Sequence, residues 1–145
     1  MMKDLERARE ILKEKKLSLV IVKNGEVIFS SGSPGINSIL QAIESLGDHI
    51  SGASAADKVV GKAAALLFAY SRIKGVYAVI LSIEGLNVLR KNRILIEYEE
   101  LVPRILDKSG KDICPFEEIV LEVESPSQAY EELKRLAEEI MRKQG

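Results

Sequence analysis

The sequence predicts a layered α/β sandwich, and three observations carry that prediction. Apolar residues recur at helical spacing near both ends of the chain. An Asn24-Gly25 step divides two runs rich in β-branched residues. Residues 76–82 form a continuous apolar stretch, as a central strand covered on both faces requires. Helices alternating with few strands bury their apolar faces by lying on a sheet.

Each element follows in turn. Residues 4–15 place Leu5, Ala8, Ile11 and Leu12 on one helical stripe, with Asp4 as the N-cap. Residues 17–23 and 26–30 read as two antiparallel strands. Asn24 and Gly25 between them both tolerate the positive φ of a type I′ turn. Ser31-Gly32-Ser33-Pro34-Gly35 is a loop. Ile36, Ile39, Leu40, Ile43 and Leu46 mark a helix that Gly47 closes. Residues 48–56, rich in small side chains, read as a second loop. From Asp57 to about Ser71 apolar residues fall on nearly every side, which predicts a long buried helix. Gly61 inside it is explained by close packing against a neighbour. The strand at 76–82 follows, then a short helix at 84–90 and a strand at 94–98. Pro103 and residues 107–112 mark irregular structure. A helix is expected at 116–123, and an amphipathic one at 127–143 with Pro126 in its first turn.

At 145 residues, one domain over 1–145 is the expected organisation. Apolar residues at 46% and charged residues at 30% suffice for a core and a wet surface, which excludes global disorder. The formal net charge is −1 and no basic tail is present, which argues against a duplex nucleic-acid partner. The lone Cys114 excludes an internal disulfide. The charged N-terminus lacks the apolar core of a signal peptide, and no run approaches the ~20 apolar residues of a membrane span. A cytoplasmic address with no membrane partner is the expectation.

Two regions carry candidate chemistry. The first is Ser54, Asp57, Lys58 and Lys62. With Asp57 opening a helix and the lysines four apart on one face, the group suits an anionic ligand. The plain alternative is a capped helix whose lysines reach the surface. The second is Cys114 with Glu117. A thiol at a helix start gains nucleophilicity, and Glu117 three residues on is an acid, a base or a cap. The plain alternative is a cysteine buried as a small hydrophobe. His49 is the only histidine, so His49 and Cys114 cannot furnish the N/S-rich set of structural zinc. No Ser-His-Asp spacing, G-x-S-x-G elbow or P-loop is present.

Three stretches carry a family resemblance: residues 56–67 (Ala-Asp-Lys-Val-Val-Gly-Lys-Ala-Ala-Ala-Leu-Leu), residues 19–25 (Leu-Val-Ile-Val-Lys-Asn-Gly), and residues 113–117 (Ile-Cys-Pro-Phe-Glu). Together they resemble the domain of unknown function 1893 family over roughly residues 17–135. The resemblance implies a cytidine-deaminase-like fold, a three-layer sandwich with a mixed sheet between helices. Zinc deaminases open one helix with His-x-Glu and another with Pro-Cys-x-x-Cys. The corresponding starts are expected near Asp57 and Cys114, where Asp57-Lys58-Val59 and Cys114-Pro115-Phe116-Glu117 stand instead. The fold carries over and the zinc mechanism does not, so no metal and no cofactor are expected.

The leading expectation is therefore a zinc-free deaminase-like domain. Asp57, Lys58, Lys62 and Cys114 would share a pocket for a small anionic or nucleotide-like ligand. A second is an enzyme with Cys114 as nucleophile, assisted by Lys58, Lys62 or Glu117. A third is a non-catalytic homo-oligomeric interaction module.

Overall fold

The computed structural model describes residues 2–144; Met1 and Gly145, which the expected domain includes, lie outside the described residues. Its elements run α1 (Met2–Glu14), β1 (Leu19–Lys23), β2 (Glu26–Ser31), α2 (Ile36–Leu46), a single 3-10 turn (Gly47–Ile50), β3 (Ser54–Val60), α3 (Lys62–Tyr70), β4 (Gly75–Ser82), α4 (Ile83–Lys91), β5 (Leu95–Val102), α5 (Pro115–Ile119) and α6 (Pro126–Gln144). The strands form one sheet in the order β2-β1-β3-β4-β5. β1 is antiparallel to both β2 and β3, and β3, β4 and β5 are parallel.

The hairpin is as expected: Asn24 has φ 51° and Gly25 φ 82°. Asp4 does not cap α1, which begins at Met2. Its carboxylate instead accepts bonds from the Asn24 and Gly25 amides at 2.9 and 2.8 Å, tying the hairpin turn to α1.

The long helix from Asp57 is the main correction. Residues 54–60 are the central strand, and the helix begins only at Lys62, with Gly61 as its N-cap. A segment buried on every side looks the same to hydrophobic periodicity whether it is strand or helix. Tertiary pairing decides here, because β3 is the one strand bonded to both the hairpin and the parallel half.

Two apolar layers follow from the period-2 alternation of strands. On one face Leu5, Ala8 and Leu12 of α1 meet Val20, Val22, Ala56 and Tyr77. On the other, Leu19, Ile21, Ala55, Val76 and Ala78 meet α2, α3 and α4. α3 contributes Ala63, Ala64, Ala65, Leu66, Leu67 and Phe68, all buried, because α6 covers its outer side with Ala129 and Leu133. Among the described residues no helix is long and apolar enough to cross a membrane.

Candidate functional site

The parallel strands β3 and β4 each feed a helix at their carboxyl ends. The two helix starts touch: a Cβ built on Gly85 of α4 would lie 3.0 Å from the Gly61 carbonyl oxygen. Ser82 caps α4, its Oγ accepting from the Gly85 amide at 3.0 Å. The α3 start is capped from across the chain. Glu117 Oε1 accepts from the Lys62 amide at 2.8 Å, and Oε2 from the Ala63 amide at 2.7 Å. These charge-assisted bonds satisfy two of the N–H groups that a helix leaves free at its start.

The approach is close enough to require glycine at position 61. A Cβ there would lie 2.3 Å from Glu117 Oε1 and 2.7 Å from Ile105 Cγ1. Gly61 has φ −104°, so the demand is for space and not for an unusual backbone.

Lys62 is buried with its ammonium group satisfied. Nζ donates to the Leu121 carbonyl at 3.0 Å and lies 3.5 Å from Glu124 Oε1. Lys62 and Glu117 thus pin residues 115–124 onto α3 at two points. Replacing Lys62→Met keeps the aliphatic stem and removes the donor to Leu121. The expected cost is about 1–2 kcal/mol of unfolding free energy, read from urea midpoints.

A cleft of about 330 Å³ lies beside this junction, over the ends of β4 and β5. Ser82, Glu84, Arg104, Ile113, Glu117 and Leu121 line it. In open parallel sheets this is where ligands bind. Burial raises the Glu117 carboxyl above the ordinary carboxylate range. The Ala63 and Lys62 amides oppose that shift, and the charge of Glu84 adds to it.

The residues singled out from sequence are placed as follows. Glu117 lines the cleft, and Lys62 bonds to it through its backbone. Asp57 stands in β3 and not at a helix start. Its pairing partner Leu19 faces the α2–α3 layer, so Asp57 does too. Burial pushes its carboxyl up from 3.8 to about 7, opposed by bonds from the Val59 and Lys58 amides. Lys58 is exposed and lies on the α1 side, beside Leu12 and Val79, so it shares no helix face with Lys62. Ser54 is buried at the opposite end of β3, opposite Gly75. Cys114 is half-buried before the five-residue α5, its amide bonded to the Ile105 carbonyl at 3.1 Å. Ile113 beside it lines the cleft, and Cys114 does not. Two helix starts therefore meet that of α3: the start of α4 at Ser82, which sequence reading did not anticipate, and that of α5, whose first-turn Glu117 bonds to the α3 amides while Cys114 itself stays outside the cleft. Exposed His49 sits in the 3-10 turn before β3, at the other end of the sheet. Sequence reading missed Ser82, Glu84 and Arg104. The available signal was Ser82 followed by Gly85 after an apolar strand.

Comparison with known proteins agrees with this architecture. The structure superposes on a DUF1893 family protein from Thermotoga maritima with a TM-score of 0.82 at 28% identity, covering 90% of this chain and 88% of that one. It also matches a diaminohydroxyphosphoribosylaminopyrimidine deaminase/5-amino-6-(5-phosphoribosylamino)uracil reductase from Thermotoga maritima. There the TM-score is 0.50 at 18% identity, over 83% of this chain and 40% of that one. A dCMP deaminase from the cyanophage S-TIM5 gives 0.48 at 16% identity, over 67% and 94% of the two chains. The match to the deaminase/reductase identifies the mixed five-stranded sheet with helices on both sides as a deaminase-like fold. No curated protein matches the chain. The family model described as a domain of unknown function (DUF1893) matches residues 7–136, and the chain belongs to that family.

Proposed function

We propose that the protein is a zinc-free, deaminase-fold ligand-binding protein. Its ligand is a small anionic, nucleotide-like molecule held in the cleft over β4 and β5. The observation that carries this reading is the lining of that cleft, which sets Arg104 and Glu84 together beside two abutting helix starts. Arg104 has no ion-pair partner among the described residues and offers a planar fork for a phosphate or carboxylate. Glu84 offers an acceptor for a hydroxyl or exocyclic amine. Glu117 is committed to the α3 amides and shapes the wall.

The deaminase fold raises the question of zinc, and the donor chemistry here does not fit it. Gly61-Lys62-Ala63 and Ser82-Ile83-Glu84-Gly85, which open the two abutting helices, contain neither histidine nor cysteine. Among the described residues no group of three His, Cys, Asp or Glu side chains is placed to hold a metal.

The test is thermal unfolding with cytidine 5′-monophosphate, uridine 5′-monophosphate, ribose 5-phosphate and inorganic phosphate. A ligand at a hundred times its Kd contributes about 2.7 kcal/mol, which raises Tm by about 5–10 °C in a domain of this size. At least one probe is expected to produce that rise, and Arg104→Ala is expected to abolish it. An equal rise in the variant, no rise with any probe, or stoichiometric zinc retained through dialysis would overturn the reading.

A further inference from the structure

The far end of α3 opens on a second hollow, of about 800 Å³, where α2 and α3 end and α6 begins. A nine-residue helix rises about 13 Å, so this hollow is separate from the cleft at the start of α3. Its volume lies within the range of small-molecule sites.

The walls are chemically distinct. Tyr70 and Tyr130 form an aromatic wall, their rings 4.4 Å apart and only 5° from parallel. Lys134 Nζ lies 5.8 Å from the centre of the Tyr130 ring, so that ring already receives a cation. Ile43 and Ile50 give an apolar floor. Glu44 and Asp48 stand at the α2 end, and Arg72 stands at the α3 end.

None of these three charges takes part in any ion pair among the described residues, although all line the same hollow. Opposite charges that share a hollow yet stand apart leave a gap that a ligand bearing both charges would bridge. The carbonyl end of α2 reinforces the preference for an ammonium group beside Glu44 and Asp48. Arg72 is held in the left-handed region at φ 60°. Its carbonyl accepts from the Gly52 amide at 2.9 Å and its amide donates to the Ala69 carbonyl at 3.1 Å. The base of that side chain is therefore fixed at the rim.

We propose that this hollow binds a small amino-acid-like zwitterion: an ammonium group at Glu44 and Asp48, a carboxylate at Arg72, and an apolar or aromatic body on the tyrosine wall. The site is independent of the cleft and of the reading given for it.

The test is NMR titration of the intact chain with three probes that share a phenyl ring: L-phenylalanine, 2-phenylethylamine and 3-phenylpropionate. L-Phenylalanine is expected to shift the amides of Asp48, Tyr70 and Arg72, and to bind at least about tenfold more tightly than either probe lacking one charge. Arg72→Asn suits the left-handed backbone. It is expected to weaken L-phenylalanine to the level of 2-phenylethylamine while leaving 2-phenylethylamine unchanged. Glu44→Gln with Asp48→Asn is expected to do the converse, leaving 3-phenylpropionate unchanged or tighter. Equal affinity for all three probes, no shift at about 10 mM probe, or undiminished L-phenylalanine binding by Arg72→Asn would each overturn the proposal.

Discussion

Gly61→Ala is expected to destabilise the protein by about 3–5 kcal/mol, a large part of the about 5–15 kcal/mol that holds a domain of this kind together. The added methyl cannot coexist with the Glu117 carboxylate, since its carbon would sit 2.3 Å from Oε1 and 2.6 Å from Cδ. Retreat toward Ile105 is blocked as well, at 2.7 Å. Glu117 must therefore move, breaking its bonds to the Lys62 and Ala63 amides. A buried carboxylate and two helix-start amides are then left without partners, each a costly loss in a dry site. Gly32→Ala is the control, because nothing lies within 4 Å of its added carbon and its backbone is ordinary. Its effect is expected within about 0.5 kcal/mol. Urea unfolding of both variants checks the contrast. A Gly61→Ala protein as stable as the parent would mean that Glu117 is not fixed where the structure places it.

Asp57→Asn is expected to stabilise the protein above neutral pH and to do progressively less as the pH falls. Burial raises the Asp57 carboxyl from 3.8 to about 7, so the folded state prefers it protonated. Between those values the native state binds more protons than the unfolded one, and stability falls as pH rises. The loss is complete above about 7 and absent below 3.8. Over this span of about three pH units, at ~1.4 kcal/mol each, it reaches about 4 kcal/mol at most. Asparagine keeps the acceptor for the Val59 amide, 3.4 Å away, and cannot ionise. The stability difference between variant and parent should therefore grow by up to that amount between pH 4 and pH 8. Glu117 shifts in the same direction but is present in both proteins, so the difference isolates Asp57. A difference that stays flat with pH would show that Asp57 reaches water in the folded state.

These two positions also mark how far the sequence could be read. Both lie in the stretch read as one long helix, and Asp57 was placed as a helix cap with Lys58 and Lys62 on its face. The misreading has a definite cause. Ala55, Ala56, Val60, Ala63 and Ala64 are all buried, so neither a period of two nor one of 3.6 stands out. The β-branched pair Val59-Val60 running into Gly61 was the remaining clue to a strand giving way to a helix. Once β3 is a strand, alternation sends Asp57 and Lys58 to opposite faces of the sheet and removes the shared lysine face. Cys114 precedes a helix as expected, and the first turn of that helix meets the α3 start through Glu117; the third start at the junction, at Ser82, was not legible from spacing.

Local chemistry needs only neighbours in the chain, and the sequence alone determined what rests on it: the type I′ hairpin at Asn24-Gly25, the amphipathic outer helices, the apolar strand β4, interior to the sheet though not at its centre, and the layered α/β class. The family resemblance added the mixed sheet between helices. Which partner each segment meets was settled by tertiary structure. The Glu117 carboxylate bonds to amides 55 and 54 residues away in the chain. Arg104, Ser82 and Glu84 meet at one cleft from separate strand ends. Such meetings depend on strand order and on the space that a missing side chain leaves, as at Gly61, and spacing along the chain carries neither.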